Sequence, residues 1–103
     1  MIDEKLTIIG NGTTNTTING TWSRIITISH EDVTVKNLKL VSGSNTTSSV
    51  YVNEENTILD SLEIHGGYQA IEVHGRYAKI SNSKLVGQSN SGIQVKAQGL
   101  NLE

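Results

Sequence analysis

The chain has no cysteine, no proline and no phenylalanine, and a single tryptophan among its 103 residues. Without cysteine it can form neither a disulfide framework nor a thiolate metal site. No apolar run is long enough to span a membrane as a helix. The net charge of −2 comes from interspersed acids and bases, with no basic patch for nucleic acid. The sequence therefore predicts one domain with no cofactor, no metal site, no membrane segment and no nucleic-acid partner.

What the sequence does contain is Ser, Thr, Asn and Gly around regularly spaced Ile, Val and Leu residues. β-branched residues at regular spacing favour strands rather than disorder. Three segments are copies of one another, at offsets of 21 residues (50 to 71) and 22 residues (71 to 93). They are Val50–Asn53, Ile71–His74 and Ile93–Lys96, and Ile26–Ser29 is an earlier copy.

A second and a third apolar segment follow each copy, and Leu6–Ile8 looks like a still earlier second segment. Each unit of roughly 22 residues thus carries three short strands in which apolar and polar residues alternate. Alternation places one set of side chains inside, and parallel stacking of like strands lines that set up in columns. The predicted columns are Ile26, Val50, Ile71 and Ile93; Ile28, Val52, Val73 and Val95; Val35, Leu59, Ile80 and Leu102; and Leu40, Ile64 and Leu85.

The predicted fold class is all-β: a right-handed parallel β-helix (solenoid) of about four to five coils, with three short strands per coil. It forms a single domain over residues 1–103, with an atypical N-terminal coil (1–24), regular coils (25–99) and an unfinished last coil (100–103). Asn37, Ser61 and Asn82 fall between the second and third strands. A sharp bend there needs a residue that tolerates the left-handed conformation, as Asn does.

The pattern V-x-V-x-N-x-x-L at Val33–Leu40 resembles the repeats of the pectin-lyase-like superfamily, and so do Leu6–Gly12 and Thr17–Gly20. The resemblance covers residues 5–102 and implies the right-handed parallel β-helix. This fold hosts lyases, hydrolases, adhesins and tailspikes, so it does not define an activity. Resemblance to the pectate lyases would imply calcium-binding acids, an arginine base and a D-x-W-I-D-H signature. This sequence lacks that signature.

The resemblance also implies that the sheet of first strands is a saccharide groove. Two outward columns lie there, with side chains about 5 Å apart along the axis. The candidate glycan-binding residues are Tyr51, Asn53, Glu72, His74, Gln94 and Lys96, and the candidate catalytic residues are Glu72, His74, Lys96 and Arg76. Tyr51 could stack on a sugar while Glu72 or His74 transfers a proton. The alternative is a solvated face of ordinary cross-strand pairs, since glycoside hydrolysis normally needs two acids.

Four N-x-[ST] sequons make Asn11, Asn15, Asn19 and Asn45 candidate N-glycosylation sites, which suits an extracellular or cell-surface location. His30 is expected in a turn and His65 in a loop, without metal-ligand spacing.

Open coil edges template further pairing, and no segment has the pattern of an amphipathic capping helix. We therefore expect a non-catalytic structural or adhesive β-helix segment of an extracellular or surface protein. Its partners would be neighbouring segments of a longer solenoid or other copies stacked head to tail into a filament. The alternative function is a β-helix that binds acidic polysaccharides or cleaves them as a lyase or hydrolase.

Overall fold

The computed structural model describes residues 2, 4, 6–12, 16–20, 24–43, 46–96, 99 and 101–102. Within these residues all the regular secondary structure is β-strand, and every strand pairing is parallel. The strands are β1 (Thr7–Ile9), β2 (Thr17–Asn19), β3 (Ile26–Ile28), β4 (Thr34–Ser42), β5 (Ser48–Val52), β6 (Ile58–Gly66), β7 (Gln69–Val73), β8 (Lys79–Ser81), β9 (Lys84–Val86), β10 (Ser91–Val95) and β11 (Asn101–Leu102).

The strands form two sheets between which the chain alternates. The four-stranded sheet has the order β3-β5-β7-β10 and consists of the predicted first strands. The seven-stranded sheet has the order β1-β4-β6-β8-β11, with β2 also paired to β4 and β9 to β6. Parallel neighbours that are not consecutive in sequence require a crossover through the other sheet. The fold is therefore a parallel β-helix of about three turns, which confirms the predicted class with fewer complete coils than expected.

The predicted second and third strands are joined in two of the coils. In β4 and β6 the chain bends at a single left-handed residue, Asn37 (φ 61°) or Ser61 (φ 53°), and pairing resumes directly after it. In the next coil Asn82 (φ 51°) separates β8 from β9. The predicted column of residues with left-handed backbone conformation, Asn37, Ser61 and Asn82, is thus confirmed. In β4 and β6 the sharp corner interrupts the strand pairing by only one residue.

The predicted register is confirmed in both sheets. Val50 pairs with Ile26 and Ile71, and Leu59 pairs with Val35 and Ile80. Side chains of these columns in the middle coils are completely removed from solvent, including Val52, Val73, Leu59 and Ile64. Each fully buried Val, Leu or Ile contributes about 1.5–3 kcal/mol, so this bore is the main source of stability.

The first coil contains two elements that the sequence did not predict. Ile2 forms a parallel bridge to Ile28 and is buried, so it extends the column that begins at Ile28. β2 pairs with β4 in the register that places Ile18 beside Leu40. The ordered pattern therefore starts before Leu6, and β2 is an early copy of the third strand.

A second column of residues with left-handed backbone conformation lies at the corner between the four-stranded and seven-stranded sheets. Its members, one per coil, are Asp32 (φ 59°), Asn56 (φ 60°), Tyr77 (φ 59°) and Gly99 (φ 75°). Backbone hydrogen bonds from Asp32 N to Glu55 O and from Asn56 N to Arg76 O hold successive corners together. Each of these two corners of the coil is therefore made by one residue at a repeated position.

Replacement of Thr57 by valine is expected to raise the free energy of unfolding by about 1 kcal/mol. Thr57 is fully buried between Val33 and Ala78, and its hydroxyl has no hydrogen-bond partner. Valine has nearly the same shape and leaves no unpaired polar atom in the bore. Urea denaturation measures the change, and Thr34→Val on the partly exposed face is the control, with an expected change within about 0.5 kcal/mol. A loss of stability in Thr57→Val would contradict this account of the hydroxyl.

Candidate functional site

The outer face of the four-stranded sheet carries the predicted candidate residues. The register pairs Tyr51 with Thr27 and with Glu72, and Glu72 with Gln94. The second outward column follows at the strand ends, where backbone hydrogen bonds align Ser29, Asn53, His74 and Lys96. The structure therefore has the two outward columns that the repeat predicts.

Four side chains from three successive coils contact one another on this face, and we call them the Arg24–His74 cluster: Arg24, Tyr51, Glu72 and His74. Nε2 of His74 donates to Oε2 of Glu72 over 2.6 Å. The rings of Tyr51 and His74 lie 4.9 Å apart between centroids, at an angle of 32°. The guanidinium carbon of Arg24 lies 3.9 Å from the centroid of the Tyr51 ring. The cluster runs along the axis of the solenoid and connects its coils.

Tyr51 is already engaged in this cluster. A cation over an aromatic face at this distance is attracted by the ring quadrupole. A sugar that stacked on the same face of Tyr51 would have to displace the guanidinium of Arg24. The predicted sugar-stacking role thus competes with a contact inside the protein.

The carboxyl group of Glu72 is held in its ionised form. Partial burial raises the pKa of Glu72, but the hydrogen bond from His74 and the charges of His74 and Arg24 outweigh burial, so that its pKa lies below the usual value. The side chains of Glu72 and His74 are only 16% and 24% exposed. A general acid that works near neutral pH needs a raised pKa, so this environment suits a hydrogen-bond acceptor better than a proton donor.

Two predicted catalytic candidates form no ion pair with Glu72 in the described part of the chain. Arg76 is exposed in the turn after His74, at the corner where its carbonyl oxygen accepts a hydrogen bond from Asn56 N. Lys96 is exposed just after β10 and forms no ion pair with any residue that the structure describes. The structure thus pairs Glu72 with His74, places Lys96 beside His74 in the next coil without an ion pair, and places Arg76 in the following turn.

Arg24 is the member of the cluster that sequence reasoning missed. It lies two residues before Ile26, so strict alternation would place it on the inside. Alternation holds only within a strand, and β3 begins at Ile26, which leaves Arg24 exposed and able to reach Tyr51. No pattern in the sequence marks this contact.

The seven-stranded sheet has a similar pair on its outer face. Nε2 of His65 donates to Oε2 of Glu63 over 2.7 Å, and Nζ of Lys39 lies 3.7 Å from the same oxygen. Lys84 pairs with Glu63 in register from the following coil. The hydrogen bond from His65 lowers the pKa of Glu63, and the nearby lysines add to this against partial burial. The prediction that His65 lies in a loop was wrong, because β6 continues to Gly66 and carries His65.

A third carboxylate links coils in the same sheet. Oδ1 of Asp60 accepts hydrogen bonds from Ser81 Oγ (2.9 Å), Asn82 Nδ2 (3.1 Å) and Ser61 Oγ (3.3 Å). The hydrogen bond from Asn82 contributes most to the lowered pKa of Asp60, followed by that from Ser81. Asp60 therefore stabilises the left-handed corner at Asn82 in the next coil.

The remaining predicted positions are dispersed. Asn11 and Asn19 are exposed, whereas Asn15 and Asn45 lie outside the described residues. His30 donates from Nδ1 to the Glu31 carbonyl oxygen over 2.7 Å at a bend. In the described part of the chain, no three His, Cys, Asp or Glu side chains are grouped to hold a metal ion. None of the described residues belongs to a helix that is long and apolar enough to cross a membrane.

Comparison with protein-family models, curated proteins and solved structures gave no significant match. The class of protein is therefore defined by the structure itself. It is a parallel β-helix repeat protein in which three outer carboxylates, those of Asp60, Glu63 and Glu72, are paired with side chains of the same or neighbouring coils.

The fold is expected to lose stability in acid. The pKa values of Asp60, Glu63 and Glu72 are all lowered by folding from usual values of 3.8 for Asp and 4.5 for Glu. Their stabilisation is therefore complete above those values and is lost as the pH falls through the lower folded-state pKa values. Urea midpoints measured at pH 6, 5, 4 and 3 should decrease below pH 5. Glu72→Gln should have a lower midpoint at pH 6 and a shallower decrease, and an equally steep decrease in this variant would remove Glu72 from the explanation.

Proposed function

We propose that this chain is a non-catalytic structural or adhesive β-helix segment of an extracellular or cell-surface protein. The observation that carries the proposal is the pairing of outer carboxylates with neighbouring side chains, within one coil for Glu72 and across coils for Glu63 and Asp60. Glu72, Glu63 and Asp60 each accept hydrogen bonds from neighbours on the same sheet. The contacts of Asp60 with Ser81 and of Lys39 with Glu63 are cross-strand pairs, which stabilise adjacent strands.

The chemistry of the four-stranded face supports the same proposal. Hydrolysis of a glycosidic bond usually requires two carboxyl groups about 5–9.5 Å apart, one of them with a raised pKa. The outward columns of this sheet contain Glu72 as their single carboxylate among the described residues. The pKa of Glu72 is lowered, and its Oε2 is occupied by His74.

Two finer assignments belong to this proposal. Membership of the pectin-lyase-like superfamily is supported by the V-x-V-x-N-x-x-L segment, whose Asn37 occupies the left-handed corner that the pattern requires. A surface or extracellular location is supported by the exposed sequon residues Asn11 and Asn19.

The experiment that tests the proposed function measures stability and activity in the same variants. Glu72→Gln should lower the free energy of unfolding by about 1 kcal/mol, because it weakens a charge-assisted hydrogen bond. The matched control Glu55→Gln changes an exposed carboxylate and should stay within about 0.5 kcal/mol of the wild type. For the wild type, Glu72→Gln and Glu55→Gln alike, we expect no unsaturated uronate products from a panel of polyuronates and no signal on a glycan array.

Polysaccharide binding or cleavage is the competing function, and the same experiment separates it. Turnover or glycan binding that disappears in Glu72→Gln while the unfolding free energy is unchanged would replace the structural proposal by a polysaccharide-acting β-helix. A loss of stability without any activity would support the structural role.

A further inference from the structure

The sequence contains two Asn-Gly pairs, Asn11–Gly12 and Asn19–Gly20, and both lie in the first coil. In such a pair the backbone nitrogen of the glycine can attack Cγ, the carbonyl carbon of the asparagine side chain. Glycine hinders this attack least, because it has no side chain and its backbone rotates freely. The two pairs are therefore the positions of this chain that are chemically most prone to spontaneous loss of a side-chain amide.

The reaction, deamidation, needs water as its only co-reactant. A bond forms between the glycine nitrogen and Cγ of the asparagine, the bond from Cγ to Nδ2 breaks, and Nδ2 leaves as ammonia with the proton of the glycine nitrogen. Water then opens the resulting five-membered succinimide ring at one of its two carbonyl groups. The products are aspartate and isoaspartate, and in isoaspartate the main chain runs through the side-chain carboxyl group and is longer by one methylene group.

The structure holds the attacking nitrogen of Asn19–Gly20 in a hydrogen bond between coils. Gly20 N donates to the carbonyl oxygen of Val41 over 2.8 Å, and Asn19 is the last residue of β2. A residue in a parallel strand has ψ near about +115°, and ring closure requires a large rotation about that bond. This rotation would break the hydrogen bond to Val41. Pairing of β2 with β4 therefore opposes the attack, although the Asn19 side chain is exposed to solvent.

The other pair is protected by the same strand. Gly12 N donates to the carbonyl oxygen of Asn37 over 2.9 Å, and Asn37 is the left-handed corner residue of β4. Both glycine nitrogens are thus bound by main-chain oxygens of β4. Hydrogen bonds of this kind open locally with a free energy that can be well below that of global unfolding.

We propose that Asn19–Gly20 is a site of spontaneous covalent modification whose rate is controlled by the pairing of β2 with β4. Deamidation proceeds in the fraction of molecules in which the end of β2 has separated from β4. The extra methylene group of isoaspartate at position 19 then displaces Gly20 N from the carbonyl oxygen of Val41. The modification makes a transient local opening permanent, and it does so independently of any ligand or partner.

Peptide mass spectrometry of folded and urea-unfolded protein, incubated side by side at mildly alkaline pH, measures the control by folding. The protein comes from a host that does not glycosylate, because a glycan on this sequon would occupy the Nδ2 atom that leaves. Deamidation of Asn19 should be at least about tenfold slower in the folded protein. Equal rates in the two samples would overturn the proposal.

Two isoleucine variants test whether the pairing of β2 is the controlling contact. Ile18→Ala weakens this pairing, because Ile18 lies beside Leu40 of β4, and it should speed deamidation of Asn19 at least about threefold. The matched control Ile58→Ala removes an equally exposed side chain, 40% against 38%, from β6, which pairs with β4, β8 and β9. Equal deamidation rates in the two folded variants would contradict control by β2.

Amide hydrogen exchange on the aged wild-type protein tests the consequence of the modification. The isoaspartate product, separated by chromatography, should lose exchange protection at the Gly20 amide. The aspartate product should keep this protection, as should the variant Asn19→Asp, because its main chain has the original length. Full protection of Gly20 in the isoaspartate product would overturn the inference that the opening becomes permanent.

Discussion

Gly75→Ala is expected to lower the free energy of unfolding by about 3 kcal/mol or more, the largest loss from a single added methyl group in this chain. Gly75 is buried just after the Glu72–His74 segment. A Cβ atom there would overlap with the carbonyl oxygen of Glu54 in the preceding coil. Both groups belong to the backbone, so no change of rotamer relieves the overlap and the coils must move apart. Gly75 N lies 3.3 Å from Val52 O, which shows that the two coils meet through their main chains at this point.

Two other glycines serve as matched controls for Gly75→Ala. Gly87 has a positive φ of 75°, but its added Cβ would meet only Gly66 N at 3.9 Å, so Gly87→Ala should cost about 1–2 kcal/mol for the left-handed backbone alone. Gly92→Ala would meet the flexible end of Leu85 at 3.2 Å and should cost less than Gly75→Ala. Urea unfolding followed by circular dichroism measures all three. A loss in Gly75→Ala no larger than that in Gly87→Ala would show that the corner can widen at little cost.

The register of the coils could be predicted because it depends on a strong and repeated signal. Aliphatic residues at period two, repeated at offsets of 21 to 24 residues, fix which side chains stack, since a slip of one residue would turn every apolar side chain outward. Val50, Ile71 and Ile93 show this, and their pairing is the one observed. The contact of Glu72 with His74 also follows from this pattern, because both residues point outward from the same strand.

The corners were only partly predictable, because residue type gives a signal at some of them. Asn37 and Asn82 adopt left-handed conformations that Asn tolerates well. Tyr77 adopts a similar φ of 59° without any such preference, and for a bulky residue this conformation is strained. The backbone conformation of Tyr77 is imposed by the left-handed corners of the coils stacked on either side. Local sequence therefore predicts a corner where the residue favours it and misses one that the neighbouring coils impose.

His65 and Arg24 illustrate the same limit at the outer faces. Gly66 and Gly67 follow His65 and favour a loop, yet β6 continues through His65 because its partner β4 is equally long. Arg24 lies outside β3, so no period applies to it. In both cases the outcome depends on a neighbouring coil that is distant in sequence.

Leu40→Ala is expected to lower the free energy of unfolding by about 3 kcal/mol, within the range of about 2–5 kcal/mol for buried leucines. Leu40 is completely buried in a column in which Ile18 precedes it and Ile64 follows it. With coils on both sides, the backbone can collapse only slightly around the missing atoms, so the cost of a cavity is added to the lost transfer free energy. The column of aliphatic side chains is thus most sensitive to truncation in its middle.

Leu85 provides the matched control, because it occupies the same column as Leu40 and carries the same side chain. It is only partly buried, since β9 lies at the edge of the described sheet, so Leu85→Ala removes less buried surface and leaves a site that solvent already reaches. Its expected cost is about half that of Leu40→Ala. Chemical denaturation of both variants measures the difference. Equal costs for Leu40→Ala and Leu85→Ala would contradict the account in which the depth of burial in this column sets the cost.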